Sequence, residues 1–334
     1  MNRSRPPPPY NALLNRNSSS LYNPPSARFP PASSKTGYNL AHALRNIYPK
    51  TSGVLAGSTA TSAERDQLNS TSNEPPRVHV TKGLKRLSFD ALQALSSLDP
   101  EVERHLVTAR NYTEDASVFA PVPKVGPAHC ALARDISIQD ARDLLEAGII
   151  ELVDRPSEVT GRVVVFSLPE PHKNRKRCIQ HSDLINAHLP ALPDSQVSFR
   201  SIPDRLQMVH NGSHIACIDF KSYYHQIPVS KEVGNRLCFF VPTPVGSRLA
   251  RLKVVATGDS HVVFVAVACT KKLLSFQQCA NDMDDHIDNI AVIGDSVEAV
   301  ASDIATIRDR ANSVNITINE DVSAPEKLVT TEAD

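Results

Sequence analysis

The most informative part of this sequence is residues 215–228, which read IACIDFKSYYHQIP. The turn signal Asn211-Gly212 comes just before an apolar run that ends at Asp219, which predicts a short buried strand closed by a carboxylate. An aromatic and polar turn follows the aspartate at once. An aspartate at a strand end usually marks only a solvated terminus, so the information lies in the complete string.

A second stretch of the same kind lies farther along the chain, where residues 286–294 read HIDNIAVIG. Asp288 precedes an apolar run here, 69 residues after Asp219. Upstream, Ser137 and Asp140 form a capping-box-like helix start, and Gly148 suits a left-handed helix stop. Short strands mixed with helices and hairpins predict an α+β fold, an antiparallel sheet with helices on one face.

The string at 219–228 resembles the first catalytic motif of retroelement reverse transcriptases, in which an Asp is followed by a Tyr-His-Gln-Ile string of this kind. The HIDN string resembles that family's Tyr-x-Asp-Asp motif, with His286 at the Tyr position, Asp288 at the first Asp and Asn289 at the second. The variant forms resemble most the tyrosine-recombinase retrotransposons of the DIRS/VIPER type. We therefore expect an RNA-directed DNA polymerase.

Two further segments extend the resemblance. Residues 177–186, RCIQHSDLIN, are similar to the family's fingers motif, which runs from an Arg to a Leu-Asn pair with the same Arg-to-Asn interval. Residues 251–264 are similar to its Leu-Pro-x-Gly stretch, with Gly258 kept and Ala256 in the place of the Pro. The leader-like residues 144–151 precede both, so the resemblance covers about 137–320 in the family's order.

The resemblance implies a right-hand polymerase palm with fingers over residues 137–320. The preceding residues, 81–136, are predicted to be a partly helical connector. Residues 1–80 carry eleven Pro and twelve Ser and have too little apolar surface to offset chain entropy, which predicts a disordered tail. Residues 321–334 are expected to be a disordered end, with the thumb and ribonuclease H domains absent.

Nucleotidyl transfer on such a palm uses two divalent ions, Mg²⁺ or Mn²⁺, held by carboxylates from separate strands. The resemblance gives Asp219 and Asp288 the catalytic role. It adds the Phe220 backbone carbonyl and Asn289 to the metal ligands. An amide is a weaker ligand than a carboxylate for a hard cation, so the departure at Asn289 bears on activity.

The expected substrates are an RNA or DNA template–primer and deoxynucleoside triphosphates. Lys173 and Arg177 lie in a basic stretch and are candidates for gripping the triphosphate, since Arg offers a bidentate fork to phosphate oxygens. The resemblance places Tyr224 against the sugar, and Thr257 with Gly258 near the incoming nucleotide. Without the resemblance, these residues fit a solvated basic hairpin, a core tyrosine and an ordinary turn.

Three alternatives remain open. Residues 282–285, DMDD, also mimic Tyr-x-Asp-Asp, which would make Asp284 the second metal ligand instead of Asp288. In the second alternative, the chain is a degenerate, catalytically inactive copy that only binds nucleic acid, and Asn289 is the first sign of decay. A third, plainer possibility is a scaffold that binds proteins.

Bulk properties add few constraints. The net charge is zero, so total charge indicates no partner. The six cysteines form no close pair, which indicates reduced thiols rather than a zinc site or disulfide framework. The sequence shows neither a membrane-spanning apolar run nor a signal peptide, so we expect an intracellular protein of cytoplasm or nucleus without membrane contact.

Overall fold

The computed structural model describes residues 75–97, 99–190, 199–276, 281–319 and 325–327. It is a mixed α+β structure in which the paired strands of every sheet are antiparallel, as the sequence predicts. Residues 1–74, most of the predicted tail, lie outside the described residues. No helix in the described ranges is long and apolar enough to cross a membrane.

The secondary structure in these ranges alternates between helices and short strands. The α-helices are α1 (Phe89–Ala94), α2 (Pro100–Glu114), α3 (Ile138–Glu146), α4 (Asp183–His188), α5 (Ile202–Asn211), α6 (Lys231–Gly234), α7 (Val262–Leu274) and α8 (Val297–Ser313). The strands are β1 (Ile150–Leu152), β2 (Val164–Glu170), β3 (Arg175–His181), β4 (His214–Asp219), β5 (Cys238–Thr243), β6 (Gly246–Leu252), β7 (Asp282–His286), β8 (Asn289–Gly294) and β9 (Glu326–Lys327).

A four-stranded sheet with the order β7-β8-β4-β9 carries both acidic motifs. Strands β4 and β8 pair along their whole length, from His214 opposite Gly294 to Asp219 opposite Asn289. Strands β7 and β8 form a tight hairpin in which His286 lies opposite Asn289. The remaining strands form a three-stranded sheet, β1-β6-β5, and the separate hairpin β2-β3.

The four-stranded sheet is covered on both faces, whereas the sequence predicts helices on one face only. Ala216, Ile218, Ile290 and Val292 belong to the main core together with α7 and α8. On the other face, Met208 and Val209 of α5 cover residues 215, 291 and 293. The physical reason is that β4 and β8 are apolar at nearly every position, so neither face is left to water.

Both ends of the folded region extend beyond the predicted boundaries. Val78 falls in the predicted tail, but it is buried, and its N–H donates to the Asp140 carboxylate at 2.8 Å. It also forms a bridge with Lys176 of β3. At the other end, β9 lies within the predicted disordered end and pairs with His214 and Ile215 of β4. Pairing with an existing strand edge orders both segments.

The helix signals in the sequence are partly confirmed. Ser137 and Asp140 form the predicted capping box of α3, and Gly148 stops it with φ +65°. At the start of α8, the N-cap is Ser296, whose side chain accepts from the Ala299 N–H. Within the predicted connector, Asp99 is the N-cap of α2 and Pro100 is its first residue. Proline suits this first turn because it has no N–H to lose.

Candidate active site

Asp219 ends β4, where the strand leaves the sheet for a 3-10 turn at Tyr223–Gln226. Its backbone carbonyl accepts the Asn319 N–H at 2.8 Å, and its carboxylate accepts the Asn319 side-chain amide at 3.2 Å. The side chain is only half-buried. Asp219 is thus held by its neighbours and still reachable from solvent.

Asp288 lies in the two-residue turn, Ile287-Asp288, that joins β7 to β8. Its backbone carbonyl accepts the Phe220 N–H at 2.8 Å, and its carboxylate accepts the Asn289 side-chain amide at 2.9 Å. Because Asn289 lies directly opposite Asp219, the two aspartates stand at neighbouring strand ends. The structure therefore brings together four of the predicted residues: Asp219, Phe220, Asp288 and Asn289.

Tyr224 belongs to the same group. Burial raises the pKa of its phenol to about 12, with a further contribution from the negative charge of Asp288. The ring is nevertheless only half-buried. A neutral phenol with an accessible ring, within electrostatic reach of Asp288, is compatible with the predicted contact to a nucleotide sugar.

The oxygen-rich end of the sheet fits a hard divalent cation only in part. Asp219 and Asp288 offer carboxylate oxygens, and Asn289 offers an amide oxygen beside them. Mg²⁺ prefers such oxygen ligands and commonly keeps several waters with one or two carboxylates. In the described ranges, no cluster of three or more His, Cys, Asp or Glu is arranged to hold a metal. The chemistry of the donors is suitable, and the carboxylate count is low.

The alternative ligand Asp284 is placed differently. It lies on β7 opposite Ala291, buried on the α5 face of the sheet. One carboxylate oxygen is 3.0 Å from Nε of Arg205, and Arg200 is 4.0 Å from the other. Asp284 is thus the acidic partner of an ion pair with α5, whereas Asp288 is the residue beside Asp219.

Lys173 and Arg177 lie on the β2–β3 hairpin, a separate sheet from the one that carries the aspartates. Lys173 is exposed in the turn, which closes at Asn174 with a left-handed φ of 44°. Arg177 is half-exposed, and its guanidinium is 2.6 Å from the Glu170 carboxylate. Arg177 therefore has an internal acidic partner that an anionic ligand would have to displace.

Thr257 and Gly258 form the turn that precedes α7, and this turn docks against β3. The Thr257 hydroxyl donates to the Gln180 side chain at 2.8 Å, and the Gly258 N–H donates to the Gln180 carbonyl at 2.8 Å. Asn186 completes the contact, donating to the Gly258 carbonyl at 2.9 Å and accepting the Ser260 N–H at 3.0 Å. The turn thereby ties the β3–α4 segment to the start of α7.

Sequence reasoning missed several residues that organise this region. Gln180 is 1% exposed and recognises the Thr257-Gly258 turn, but a lone glutamine in a strand gives no sequence signal. Glu170, the partner of Arg177, stands out only as the single acid of a basic stretch. Thr270 is fully buried in α7 and bonds to the Ile287 carbonyl, a contact that no local pattern indicates.

No protein-family profile and no curated protein matches the chain.

Proposed function

We propose that this chain forms the fingers and palm of a retrotransposon reverse transcriptase, an RNA-directed DNA polymerase. The observation that carries the proposal is the meeting of Asp219 and Asp288 at neighbouring ends of an antiparallel sheet. Two half-buried carboxylates, one at the end of β4 and one in the β7–β8 turn, resemble the arrangement that holds the cations in two-metal nucleotidyl transfer. The motif order along the sequence supports the same conclusion.

The reaction joins the primer 3′ oxygen to the α-phosphorus of a deoxynucleoside triphosphate. The bond from that phosphorus to pyrophosphate breaks, and the hydroxyl proton passes to water. Asp219 and Asp288 would hold Mg²⁺ or Mn²⁺ with the Asn289 amide and the Phe220 carbonyl, and the ions would supply positive charge to the hydroxyl and leaving group. The chain's own contribution is to fix these oxygens before substrate arrives, since the Phe220 N–H already ties the Asp219 strand to Asp288.

The β2–β3 hairpin supplies the groups for the triphosphate. Lys173 is exposed at its tip, and Arg177 exposes about half of its side chain. On nucleotide binding, Arg177 would exchange its single hydrogen bond to Glu170 for phosphate oxygens, which can accept a forked pair of hydrogen bonds from a guanidinium. Tyr224 would stack near the sugar, and Thr257 with Gly258 would line the nucleotide site from the start of α7.

Primer extension tests the proposal directly. The purified chain, given a primed RNA template and deoxynucleoside triphosphates, should add nucleotides in Mg²⁺ or Mn²⁺ and stop when EDTA is added. Template–primer affinity should fall steeply with salt, because contacts to phosphates release counterions. Duplex binding without incorporation under any metal condition would remove the enzymatic proposal and leave the nucleic-acid-binding one.

Asn289 favours that second candidate, an inactive copy that only binds nucleic acid. It occupies the position where a third carboxylate would complete the metal site, and its amide donates to Asp288. Its neutral side chain weakens attraction for a divalent cation.

The variant Asn289→Asp separates the two candidates. In an active enzyme, the added carboxylate should lower the Mg²⁺ concentration for half-maximal extension by about tenfold, roughly the effect of 1.4 kcal/mol. In an inactive copy, incorporation should appear only in the variant. Asn312→Asp, at an exposed position of α8, adds the same charge elsewhere and should change neither measurement. If Asn312→Asp has the same effect as Asn289→Asp, the response is general electrostatics and the metal assignment is wrong.

A further inference from the structure

Ile287, the residue before Asp288, has an unusual backbone conformation. Its φ is +60°, in the left-handed region that β-branched side chains rarely adopt. Such a conformation is strained, and it persists only where surrounding contacts fix it. The contacts to the Ile287-Asp288 turn therefore decide where the Asp288 carboxylate is held.

One of these contacts comes from Thr270 in the middle of α7. Thr270 is fully buried, and its hydroxyl oxygen is 2.9 Å from the Ile287 carbonyl oxygen. It also lies 3.0 Å from the carbonyl of Ala266, one helical turn earlier, and 3.1 Å from the Tyr223 hydroxyl. A hydroxyl has one proton to donate. The Ile287 carbonyl is the nearest of the three oxygens and lies outside the helix.

The Tyr223 hydroxyl can supply the hydrogen bond that the other oxygens of this buried group need. It lies 3.2 Å from the Ala266 carbonyl as well as 3.1 Å from Thr270, so its proton is available to either oxygen. When the Tyr223 hydroxyl donates within α7, the Thr270 proton is left for Ile287. Every hydroxyl in the group then has a partner, as buried polar groups require.

The same group links the two aspartate segments. Tyr223 follows Asp219 in the chain and packs on Phe220 with ring centroids 4.8 Å apart. The Phe220 N–H donates to the Asp288 carbonyl at 2.8 Å. The turn that carries Asp288 is therefore held from two sides, at Ile287 by the Thr270 hydroxyl and at Asp288 by the Phe220 amide.

We propose that Thr270 is a positioning residue for Asp288. Its buried hydroxyl holds the strained Ile287-Asp288 turn in the position in which the Asp288 carboxylate shares a divalent cation with Asp219. The inference rests on the proposed polymerase function. The plainer role for Thr270 is the common bond from a helical threonine to the carbonyl four residues earlier, which would affect α7 alone. The contact to Ile287, outside the helix, distinguishes the two roles.

Thr270→Val tests the inference, because valine keeps the shape of the side chain and removes only the hydroxyl. Mn²⁺ alone, titrated into the protein and followed by electron paramagnetic resonance, should bind about tenfold more weakly than to wild type. The Mg²⁺ requirement of primer extension should rise by a similar factor and kcat should fall, while KM for the deoxynucleotide stays within about twofold. Thr270→Ser, which restores the hydroxyl, should return Mn²⁺ affinity to within about threefold of wild type.

A double-mutant cycle with Ile287→Gly supplies a second test. Glycine adopts a φ of +60° without steric strain, so a glycine turn needs less external support. Thr270→Val should therefore weaken Mn²⁺ binding less in the Ile287→Gly background than in wild type. Equal losses in both backgrounds would mean that the hydroxyl does not act through the turn.

The outcomes separate this inference from the proposed function. If wild type extends primers and Thr270→Val binds Mn²⁺ as wild type does, the inference fails and the polymerase proposal stands. If Thr270→Val does not fold, Tyr223→Phe takes its place: it removes the hydroxyl that directs the Thr270 proton and should weaken Mn²⁺ binding about threefold. Unchanged binding in Tyr223→Phe would then overturn the inference. If wild type neither binds Mn²⁺ nor extends a primer, both proposals fall.

Discussion

Asp219→Asn and Asp288→Asn should each reduce Mg²⁺-dependent primer extension by about a thousandfold or more, while the fold stays intact. Each change removes a carboxylate from the proposed metal site. A bound metal ion stabilises the transition state by several kcal/mol, and each tenfold loss of rate corresponds to about 1.36 kcal/mol. Both side chains are half-buried at strand ends, so stability should change by about 1 kcal/mol or less. Single-nucleotide incorporation and urea denaturation of the same preparations measure the two effects.

Asp284→Asn is the matched control, since it makes the same chemical change four residues before Asp288. The Asp284 side chain is 2% exposed and pairs with Arg205 of α5 at 3.0 Å. Removing one partner of a buried ion pair costs about 3 kcal/mol or more, so this variant should lose stability. The folded fraction of Asp284→Asn should retain extension. A larger loss of incorporation in Asp284→Asn than in Asp288→Asn would show that the second ligand is Asp284.

Gly258→Ala should lower the free energy of unfolding by about 2–3 kcal/mol, the usual cost of forcing an extra carbon into a packed site. A Cβ at this position would lie 2.8 Å from the Gln180 carbonyl oxygen and 3.0 Å from Cα of His181. Both are backbone atoms of β3, so no side-chain rotation relieves the contact. The Thr257-Gly258 turn would have to move away from Gln180 and Asn186.

Gly126→Ala provides the control for this prediction, because no atom lies within 4 Å of a Cβ built there and its backbone is extended. Its unfolding free energy should stay within about 0.5 kcal/mol of wild type. The midpoint and slope of urea unfolding measure both variants. Equal stabilities for the two variants would contradict the close docking of the α7 turn on β3. If the proposed polymerase function holds, Gly258→Ala should also raise KM for the deoxynucleotide.

The sequence predicts those features of this site that depend on residues close together in the chain. An apolar run that ends in Asp219 and another that starts after Asp288 predict strand ends, and antiparallel pairing of two such strands brings those ends together. The capping box of α3 at Ser137 and Asp140 is local in the same sense. Each of these features depends on residues a few positions apart.

The features that the sequence did not reveal depend on distant partners. Gln180 recognises a turn 77 residues away, and Val78 is ordered by Asp140, 62 residues away. The second covered face of the sheet was missed for a similar reason. The apolar runs of β4 and β8 show that both faces are buried, but not that α5 is the helix that covers one of them.

The pairing of β4 with β8 has a consequence for how such a chain tolerates change over evolutionary time. Side chains alternate between faces along a strand, so a slip of one residue turns every side chain to the opposite face. Asp219 opposes Asn289 only in the present register. Deleting or inserting a single residue within either strand would place Asp219 and Asn289 on opposite faces of the sheet. Many substitutions, by contrast, would leave both side chains on the same face.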